Sequence, residues 1–384
     1  MNNLFIESGH TSICKHSETI CGDCFEILKN RDKITIVLSD GLGSGVKANI
    51  LSTLTSKILS TMTANNLPID ECVETVANTL PMCRERKLAY ATFTVFQIED
   101  NNAYLVQYDN PHAIILRNGK NLKYSDSVHF FGEKEIHESH IRLEQDDIII
   151  LMTDGVTNAG MGKTSGWTRD DVIMLAESWY DKDMSPQRLS AVIAGACIDL
   201  GQGEVDDDTT VLVFKLRQRQ AVNVIIGPPE HREDDEKVLR LFFSKEGKHI
   251  VCGGTTANTV SRYLGKPVVP VENSGNENVP SIAKIDGVDL VTEGIITLQK
   301  VVELAEKYAK DSSVSLELKE KKDGVSLLAE MLFEQATDIN IFFGNAVNHA
   351  HDSLDIDFST KISLVRRLEE YLTGMGKNVK LSMC

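Results

Sequence analysis

The alternation of apolar and polar residues in the first half of the chain predicts strands and helices around a glycine-rich loop. β-branched and apolar residues run from Ile34 to Ser39 and stop at Asp40-Gly41-Leu42-Gly43-Ser44-Gly45, which predicts a strand followed by a loop. Apolar residues then recur near the helical period, at Val46, Ile50, Leu54, Ile58 and Met62. This spacing predicts an amphipathic helix that rests on a sheet. A second helix is predicted from Ile69 to Leu80.

The next segment contains strands without helices between them, which predicts an antiparallel sheet. Its β-rich runs are Tyr90 to Ile98, Ala103 to Asp109 and His112 to Arg117. Asn118-Gly119 is a two-residue hairpin signal. Further on, the pattern predicts a strand from Ile148 to Met152, two helices that begin after Thr168 and Ser185, and a closing strand from Val211 to Leu216.

From Val222 onward, strands and helices alternate. The predicted strands are Val222 to Ile226, His249 to Cys252, Val288 to Val291, Ile339 to Phe343 and Val379 to Leu381, with predicted helices that start near Asp234, Thr256, Ile295 and Thr360. This order predicts a mostly parallel, doubly wound α/β sheet. The polar segment Arg217 to Gln220 separates the two patterns. We therefore expect two domains, 1–217 and 221–384, in a chain too long for one core.

Composition and charge narrow the class of protein. The hydrophobic share of 42% and the charged share of 25% are ordinary for a globular chain. No apolar run approaches the length of a membrane helix and no secretion signal opens the sequence, so we expect a cytoplasmic protein with no membrane partner. The net charge of −16 argues against a nucleic-acid partner. The cysteines are expected to be free thiols, since the Cys21-x-x-Cys24 spacing has no second half that would complete a zinc site.

Acidic residues stand where strands begin or end. Asp40 and Asp154 follow strands, Asp207 precedes one, and Asp23 precedes the strand expected to pair with Ile34 to Ser39. If the strands share one sheet, these acids meet at one edge. Clustered carboxylates raise each other's pKa unless cations neutralise them, and hard oxygen ligands favour Mg²⁺ or Mn²⁺. Without a side chain, Gly41 allows its carbonyl to approach a cation. Any single Asp-Gly pair is also compatible with an ordinary turn.

Four ordered motifs carry a family resemblance. They are Gly22-Asp23-x-Phe25, the segment from Leu38 to Gly45, Met152-Thr153-Asp154-Gly155-Val156, and Asp207-Asp208-Thr209-Thr210. In order and spacing they resemble the PP2C-type (PPM) serine/threonine phosphatases, in particular the bacterial SpoIIE-like branch, over residues 1–217. The resemblance implies an αββα sandwich of two antiparallel sheets with two divalent cations at one end.

The same resemblance implies roles for individual residues. Asp40 would bridge both cations. Asp23 and the Gly41 carbonyl would bind one cation, and Asp154 and Asp207 the other. Asp208 would orient the site through hydrogen bonds. Asp40 and Asp154 would thus be catalytic as well as metal-binding.

The implied activity is hydrolysis of phosphoserine or phosphothreonine in a regulatory partner protein, similar to an anti-anti-sigma factor, by a metal-activated water. The alternative is a non-catalytic module that senses a ligand or docks a partner. All four acidic positions are present, which favours the enzyme. One feature departs from the pattern, because Leu42 stands where many eukaryotic relatives have a histidine. Arg84 and Arg86 are candidates for phosphate binding by charge alone, with solvated surface residues as the alternative.

Three predicted strands of the second domain end in short polar or glycine-rich loops. The loops are Cys252-Gly253-Gly254-Thr255-Thr256, Thr292-Glu293-Gly294 and Gly344-Asn345. In a doubly wound sheet such loops meet at the carboxyl edge, where ligands bind. We therefore predict a site for a small anionic ligand at Gly253, Gly254, Thr255 and Thr256, with ordinary turns and helix caps as the alternative. His349 and His351 are not predicted to bind a metal.

Overall fold

A computed structural model of the chain describes residues 4–30, 33–79, 91–131, 134–164, 166–271, 281–311, 313–318, 321–345 and 358–384. The chain divides into two compact units, Met1–Arg217 and Gln218–Cys384. Four residues weighed in the sequence analysis lie outside the described ranges: Arg84, Arg86, His349 and His351. Among the described helices, none has both the length and the apolar character needed to cross a bilayer.

The first unit is built from strands and helices whose order follows the sequence pattern. Its strands are β1 (Leu4–Ile13), β2 (Asp23–Asn30), β3 (Lys33–Gly41), β4 (Ala91–Glu99), β5 (Asn102–Tyr108), β6 (Ile114–Arg117), β7 (Lys120–Asn121), β8 (Ser127–Phe131), β9 (Lys134–Arg142), β10 (Ile148–Met152) and β11 (Thr209–Gln218). Its helices are α1 (Gly45–Ala64), α2 (Ile69–Thr79), α3 (Asp154–Thr157), α4 (Arg169–Trp179) and α5 (Pro186–Leu200).

These elements form four layers. One sheet has the order β2-β3-β4-β5-β9-β8 and the other β1-β11-β10-β6-β7. An apolar core that includes Ile36 and Phe96 of the first sheet and Leu151 and Phe214 of the second lies between them. A second core lies between the first sheet and helices α1 and α2, and a third between the second sheet and helices α4 and α5. The predicted αββα sandwich with antiparallel sheets is therefore confirmed for this unit.

The turn and the helix caps predicted from short sequence segments are present in the structure. Asn118 and Gly119 both have positive φ angles, 51° and 74°, and they join β6 to β7. This is the conformation that Asn-Gly favours in a two-residue hairpin. Thr168 forms a capping box at the start of α4, and Ser185 caps α5 ahead of Pro186. The hairpin and both caps are confirmed. In contrast, β6 pairs in a different sheet from β4 and β5, although the sequence predicts one sheet for the three.

The face that α1 buries differs from the prediction. Three of the apolar residues at helical spacing are exposed: Val46 by 58%, Ile50 by 48% and Leu54 by 38%. The buried face carries small and hydroxyl residues instead, namely Ala48, Ser52, Thr55, Ser56, Ser60 and Thr63, together with Leu59. A Cβ atom on Gly41 would lie 2.0 Å from the carbonyl oxygen of Ala48. The helix thus packs so close to β3 that only short side chains fit between them.

The close packing of α1 on β3 implies that a larger residue at position 41 destabilises the fold. We expect Gly41→Ala to lower the free energy of unfolding by about 3 kcal/mol, because its Cβ atom would overlap a backbone atom that cannot move independently. Gly195→Ala in α5 is the matched control, since a Cβ atom there meets no atom of the described residues within 4 Å. The control should be neutral or slightly stabilising. Urea unfolding of the metal-free full chain measures both, and equal stability of the two variants would contradict the close packing.

The second unit contains one mixed sheet with helices against both faces. Its strands are β12 (Ala221–Ile226), β13 (Lys248–Cys252), β14 (Val269–Pro270), β15 (Ile282–Lys284), β16 (Leu290–Thr292), β17 (Asp338–Phe343) and β18 (Asn378–Met383). Its helices are α6 (Asp235–Phe243), α7 (Gly254–Leu264), α8 (Ile295–Lys310), α9 (Val314–Leu318), α10 (Gly324–Ala329) and α11 (Phe358–Gly374), with a 3₁₀ turn at Arg232–Asp234 and a π-helical segment at Glu330–Gln335.

The strand order of this sheet is β14-β15-β16-β13-β12-β17-β18. The run from β16 to β18 is parallel, whereas β15 pairs antiparallel with both β14 and β16. Val222 and Val224 pack against α8 on one face, and Ile225 and Val251 pack with α6 and α7 on the other. The antiparallel edge is not predicted from the sequence, because its strands are only two and three residues long. The predicted linker is also shorter, because only Arg219 and Gln220 separate β11 from β12.

Candidate metal centre

Two of the predicted acids are brought together by strand register. β2 and β3 are antiparallel, and Asp23 is the direct cross-strand partner of Asp40. Side chains directly opposite one another in such a pair project from the same face of the sheet. The two acids are 17 positions apart along the chain, and the antiparallel pairing of β2 with β3 brings them side by side. Gly41 follows Asp40 as the last residue of β3.

The other two acids come from the second sheet. Asp154 is the first residue of α3, immediately after Thr153 and the end of β10, and Asp207 lies just before β11. β10 and β11 are antiparallel neighbours, so the end of one strand lies beside the start of the other. The acids consequently meet across two sheets at one end of the sandwich. This corrects the interpretation that their strands share a single sheet.

Thr153 links the two sheets at this point. Its hydroxyl donates to Asp23 Oδ2 at 2.9 Å and accepts from the backbone amide of Thr210 at 3.0 Å. Thr153 is fully buried. No role is predicted for this residue from the sequence, where its signal is its position beside Asp154 in the Met152-to-Val156 motif.

Asp208 holds the chain segment that leads to Asp23. Its two carboxylate oxygens accept hydrogen bonds from the backbone amides of Lys15 and Gly22, each at 2.9 Å. The side chain is buried, and a Cβ atom on Gly22 would lie 2.7 Å from Asp208 Oδ2. The carboxylate thus faces a segment that has room only for glycine.

The acids share a negative electrostatic environment. Burial, followed by the negative charges of Asp208 and Asp154, raises the pKa of Asp23 to about 7. Burial, followed by the charges of Asp23, Asp154 and Asp207, raises the pKa of Asp40 to about 9. Burial is also the main cause that raises the pKa of Asp207. The metal-free site therefore resists full ionisation.

Two carboxylate oxygens in the site have no donor. Asp23 Oδ1 and Asp154 Oδ1 are buried and make no hydrogen bond within the part of the chain that the structure describes. Buried polar atoms without partners are costly and rare in folded proteins. A divalent cation would satisfy both oxygens and relieve the repulsion between the acids, and a set of carboxylate oxygens suits Mg²⁺ or Mn²⁺. The residues present therefore fit such ions.

A polar cleft of about 530 Å³ opens beside Asp154. Asn158 lines it and contacts Asp154 Oδ2 through its side-chain amide at 3.3 Å. Arg169 also lines it, and its Nε and Nη2 atoms donate to the carbonyls of His112 and Ala113 at 2.8 and 2.9 Å. These hydrogen bonds fix the guanidinium group in place. This arginine is not predicted from the sequence, because nothing near position 169 marks it except the start of a helix.

The model of the family described as Stage II sporulation protein E (SpoIIE) matches residues 30–217. These residues are a SpoIIE domain of the PP2C phosphatase type. The match includes Asp40, Asp154 and Asp207, whereas Asp23 lies just before its first residue.

Two sporulation proteins are similar to this SpoIIE domain in sequence. Stage II sporulation protein E of Bacillus subtilis (strain 168) is 20% identical over 217 residues, which cover 55% of this chain and 26% of that protein. Stage II sporulation protein E of Priestia megaterium is 21% identical over 220 residues, which cover 55% of this chain and 36% of that protein. The matched part thus spans about a quarter to a third of these curated relatives.

Two solved structures are also similar to part of this chain. The PP2C phosphatase domain of SpoIIE from Bacillus subtilis, with a fragment of its regulatory domain, has a TM-score of 0.49 and 18% identity, over 56% of this chain and 64% of that one. RsbX in complex with magnesium has a TM-score of 0.41 and 16% identity, over 55% of this chain and 95% of that one.

The match to SpoIIE ends at residue 217, and the second unit has a cleft of its own. The cleft measures about 250 Å³ and lies at the carboxyl ends of β12, β13, β16 and β17. All four residues of the predicted anion site line it, Gly253, Gly254, Thr255 and Thr256, as do Glu293, Gly344 and Lys361. Gly253 has a φ angle of 114°, which other residues rarely adopt. The amino terminus of α7, at Gly254, therefore opens onto this cleft.

Proposed function

We propose that the SpoIIE domain is a metal-dependent protein phosphatase that hydrolyses phosphoserine or phosphothreonine in a regulatory partner protein. The convergence of four acids supports this proposal most directly, together with two buried carboxylate oxygens that have no hydrogen-bond partner in the described ranges. Such an arrangement stabilises the folded chain poorly by itself, because like charges repel. It is consistent with a site whose purpose is to hold cations.

Each acid has a proposed role in holding two cations, Mn²⁺ or Mg²⁺. We propose that Asp40 bridges them, since the charges of Asp23, Asp154 and Asp207 all act on its carboxylate. Asp23 and the Gly41 carbonyl would bind one cation. Asp154 and Asp207 would bind the other. When bound, the pair would activate a water molecule and neutralise charge on the phosphoryl oxygens.

The surrounding residues would orient the acids and the substrate. The hydroxyl of Thr153 holds Asp23, so the carboxylate of one sheet stays aligned with Asp154 of the other. Asp208 holds the backbone on the amino-terminal side of Asp23 through Gly22. We propose that Arg169, rather than Arg84 or Arg86, supplies positive charge for the substrate phosphate in the cleft.

The second candidate is a domain that docks a partner without catalysis. Loss of at least one metal-binding acid would be expected in such a domain, yet all four are present and adjacent. Release of phosphate from a phosphoserine peptide that requires Mn²⁺ distinguishes the two, since a docking module would release none. A partner similar to an anti-anti-sigma factor, and a cytoplasmic location, belong to the same proposal.

For residues 221–384 we propose a doubly wound α/β domain that binds a small anionic ligand and regulates the phosphatase. In its sheet, β13 and β16 lie on one side of β12 and β17 lies on the other, so the strand order reverses direction at β12. Ligands of open α/β sheets bind at the carboxyl edge near such a reversal. The cleft there combines the first turn of α7 with Lys361, and both attract an anion.

We expect Gly254→Val to abolish stabilisation of the chain by anionic ligands. A Cβ atom at Gly254 meets none of the described atoms within 4 Å, so the variant should fold while its side chain occupies the cleft. The measurement is a thermal melt of the full chain against inorganic phosphate, pyrophosphate and nucleoside monophosphates. Gly374→Val is the control, because that position is equally open and lies outside the cleft. No shift in the wild type with any probe would contradict the anion site.

A further inference from the structure

A second group of metal-ligating side chains includes two histidines that line the same cleft as Asp154. His112 lies between β5 and β6, Asp126 just precedes β8, and His137 is in β9. One ligand atom from each of these residues lies within 4.8 Å of those of the other two. The three come from separate segments of the chain, so their proximity is produced by the fold.

Strand pairing fixes the position of His137. It lies opposite Gln107 of β5 and Val128 of β8, in the interior of the six-stranded sheet. Its Nδ1 atom is 2.6 Å from Asp126 Oδ2, and its Nε2 atom is 3.5 Å from Glu135 Oε1. Glu135 is two positions earlier on the same strand and thus on the same face. Both ring nitrogens of His137 therefore face carboxylates.

His112 completes the group from the side. Its ring lies edge-on to that of His137, with the centroids 4.6 Å apart. Its backbone carbonyl accepts from Arg169, which anchors the loop that carries it. Burial is the main cause that holds the pKa of His112 below its usual value.

We propose that His112, His137 and Asp126 form a binding site for a transition-metal ion such as Zn²⁺, separate from the carboxylate centre. Two imidazoles and a carboxylate are a donor set that Zn²⁺ and its neighbours prefer, whereas Mg²⁺ and Mn²⁺ prefer oxygen alone. A tetrahedral ion with bonds near 2.1 Å holds its ligands about 3.4 Å apart. The group needs to contract by roughly an ångström to reach this geometry, and the exposed side chain of Asp126 has room to do so.

An ion bound at this site would change the charge of the cleft. His112, His137 and Asp154 all line the same cleft, whose lining also includes Asp109 and Glu135. A phosphorylated side chain that enters would meet Arg169, which attracts it, and also these carboxylates, which oppose its charge. A divalent ion on the two histidines offsets the charge of these carboxylates. The ion thus favours anionic substrates without being part of the carboxylate centre.

The test is calorimetric titration of Zn²⁺ into the full chain in excess Mg²⁺, which occupies oxygen-only sites. We expect a Zn²⁺ ion to bind at this site, and His112→Ala and His137→Ala each to weaken its affinity at least 10-fold. Asp40→Asn, which disrupts the carboxylate centre, should retain this Zn²⁺ site. His129→Ala is the control, since His129 is an exposed histidine of β8 outside the group.

A second measurement does not depend on whether the variants fold. It is ring-nitrogen NMR of the wild-type full chain labelled with ¹⁵N-histidine. Zn²⁺ should shift the signals of His112 and His137 in the wild-type protein. The proposal is overturned if no Zn²⁺ binds in excess Mg²⁺, if only other histidines shift, or if binding is lost in Asp40→Asn alone. If the wild-type chain binds Zn²⁺ at this site but releases no phosphate with Mn²⁺, the proposed function is contradicted and the Zn²⁺ site is still supported.

Discussion

Replacing Asp40 by asparagine is expected to reduce Mn²⁺-dependent phosphate release by at least about 100-fold, because it removes the acid on which the charges of the other three act. Asp154→Asn should have a similar effect, since it removes the charge of a carboxylate whose buried Oδ1 atom has no hydrogen-bond partner among the described residues. The measurement is the initial rate of phosphate release from a phosphoserine peptide at saturating Mn²⁺. Circular dichroism of each variant establishes that the fold is retained.

Asp100→Asn is the matched control for these two substitutions. Asp100 lies in the exposed turn between β4 and β5, with a φ angle of 52° that asparagine tolerates well. The control should keep the wild-type rate. Wild-type rates in Asp40→Asn or Asp154→Asn would remove these residues from the catalytic site.

The metal-free protein is expected to lose stability as pH rises, and Asp40→Asn is expected to reverse much of that loss. The pKa values of Asp23 and Asp40 are raised from 3.8 to about 7 and about 9 in the folded state. Between these limits the folded chain holds protons that the unfolded chain has released. Their contribution to stability is therefore complete below pH 3.8 and falls as pH rises towards 9.

Thermal melts in chelator across pH 4.5 to 8.5 test this expectation. We expect Asp40→Asn to melt several degrees above the wild type at the high end, with the difference closing at the low end. Added Mn²⁺ should stabilise the wild type most at high pH, because its ligands must be deprotonated to bind. A wild type that is more stable than Asp40→Asn at pH 8.5 without metal would contradict the crowding of the acids.

Local features of the fold could be predicted from the sequence because short segments determine them. The Asn118-Gly119 hairpin depends on two backbone angles, and the Thr168 cap depends on one turn of helix. The acids could be found because each stands at a strand end, a position that the apolar pattern marks. Their order along the chain, together with neighbouring glycines, carried the family resemblance.

The remaining features depend on contacts between distant segments. The buried face of α1 is decided by the approach of Ala48 to Gly41, and the exposed row of Val46, Ile50 and Leu54 is misleading without that contact. Hydrophobic periodicity shows that a helix is amphipathic and does not show how close it packs.

The same limit applies to the site. The hydrogen bonds that Asp208 accepts join positions more than 180 residues apart. Arg169 reaches the cleft from the first residue of α4. The division of the strands into two sheets is equally non-local. No short segment of the sequence carries these relationships.

The central claim is that the four acids form a centre that hydrolyses phosphate esters only with divalent cations. The most direct measurement is the rate of phosphate release from a phosphoserine peptide by the full chain, first in chelator and then during titration with Mn²⁺. We predict no release above background in chelator and a saturable increase with Mn²⁺. Release that is equally fast in chelator, or no release at any Mn²⁺ concentration from a peptide or a phosphorylated protein, would contradict the account.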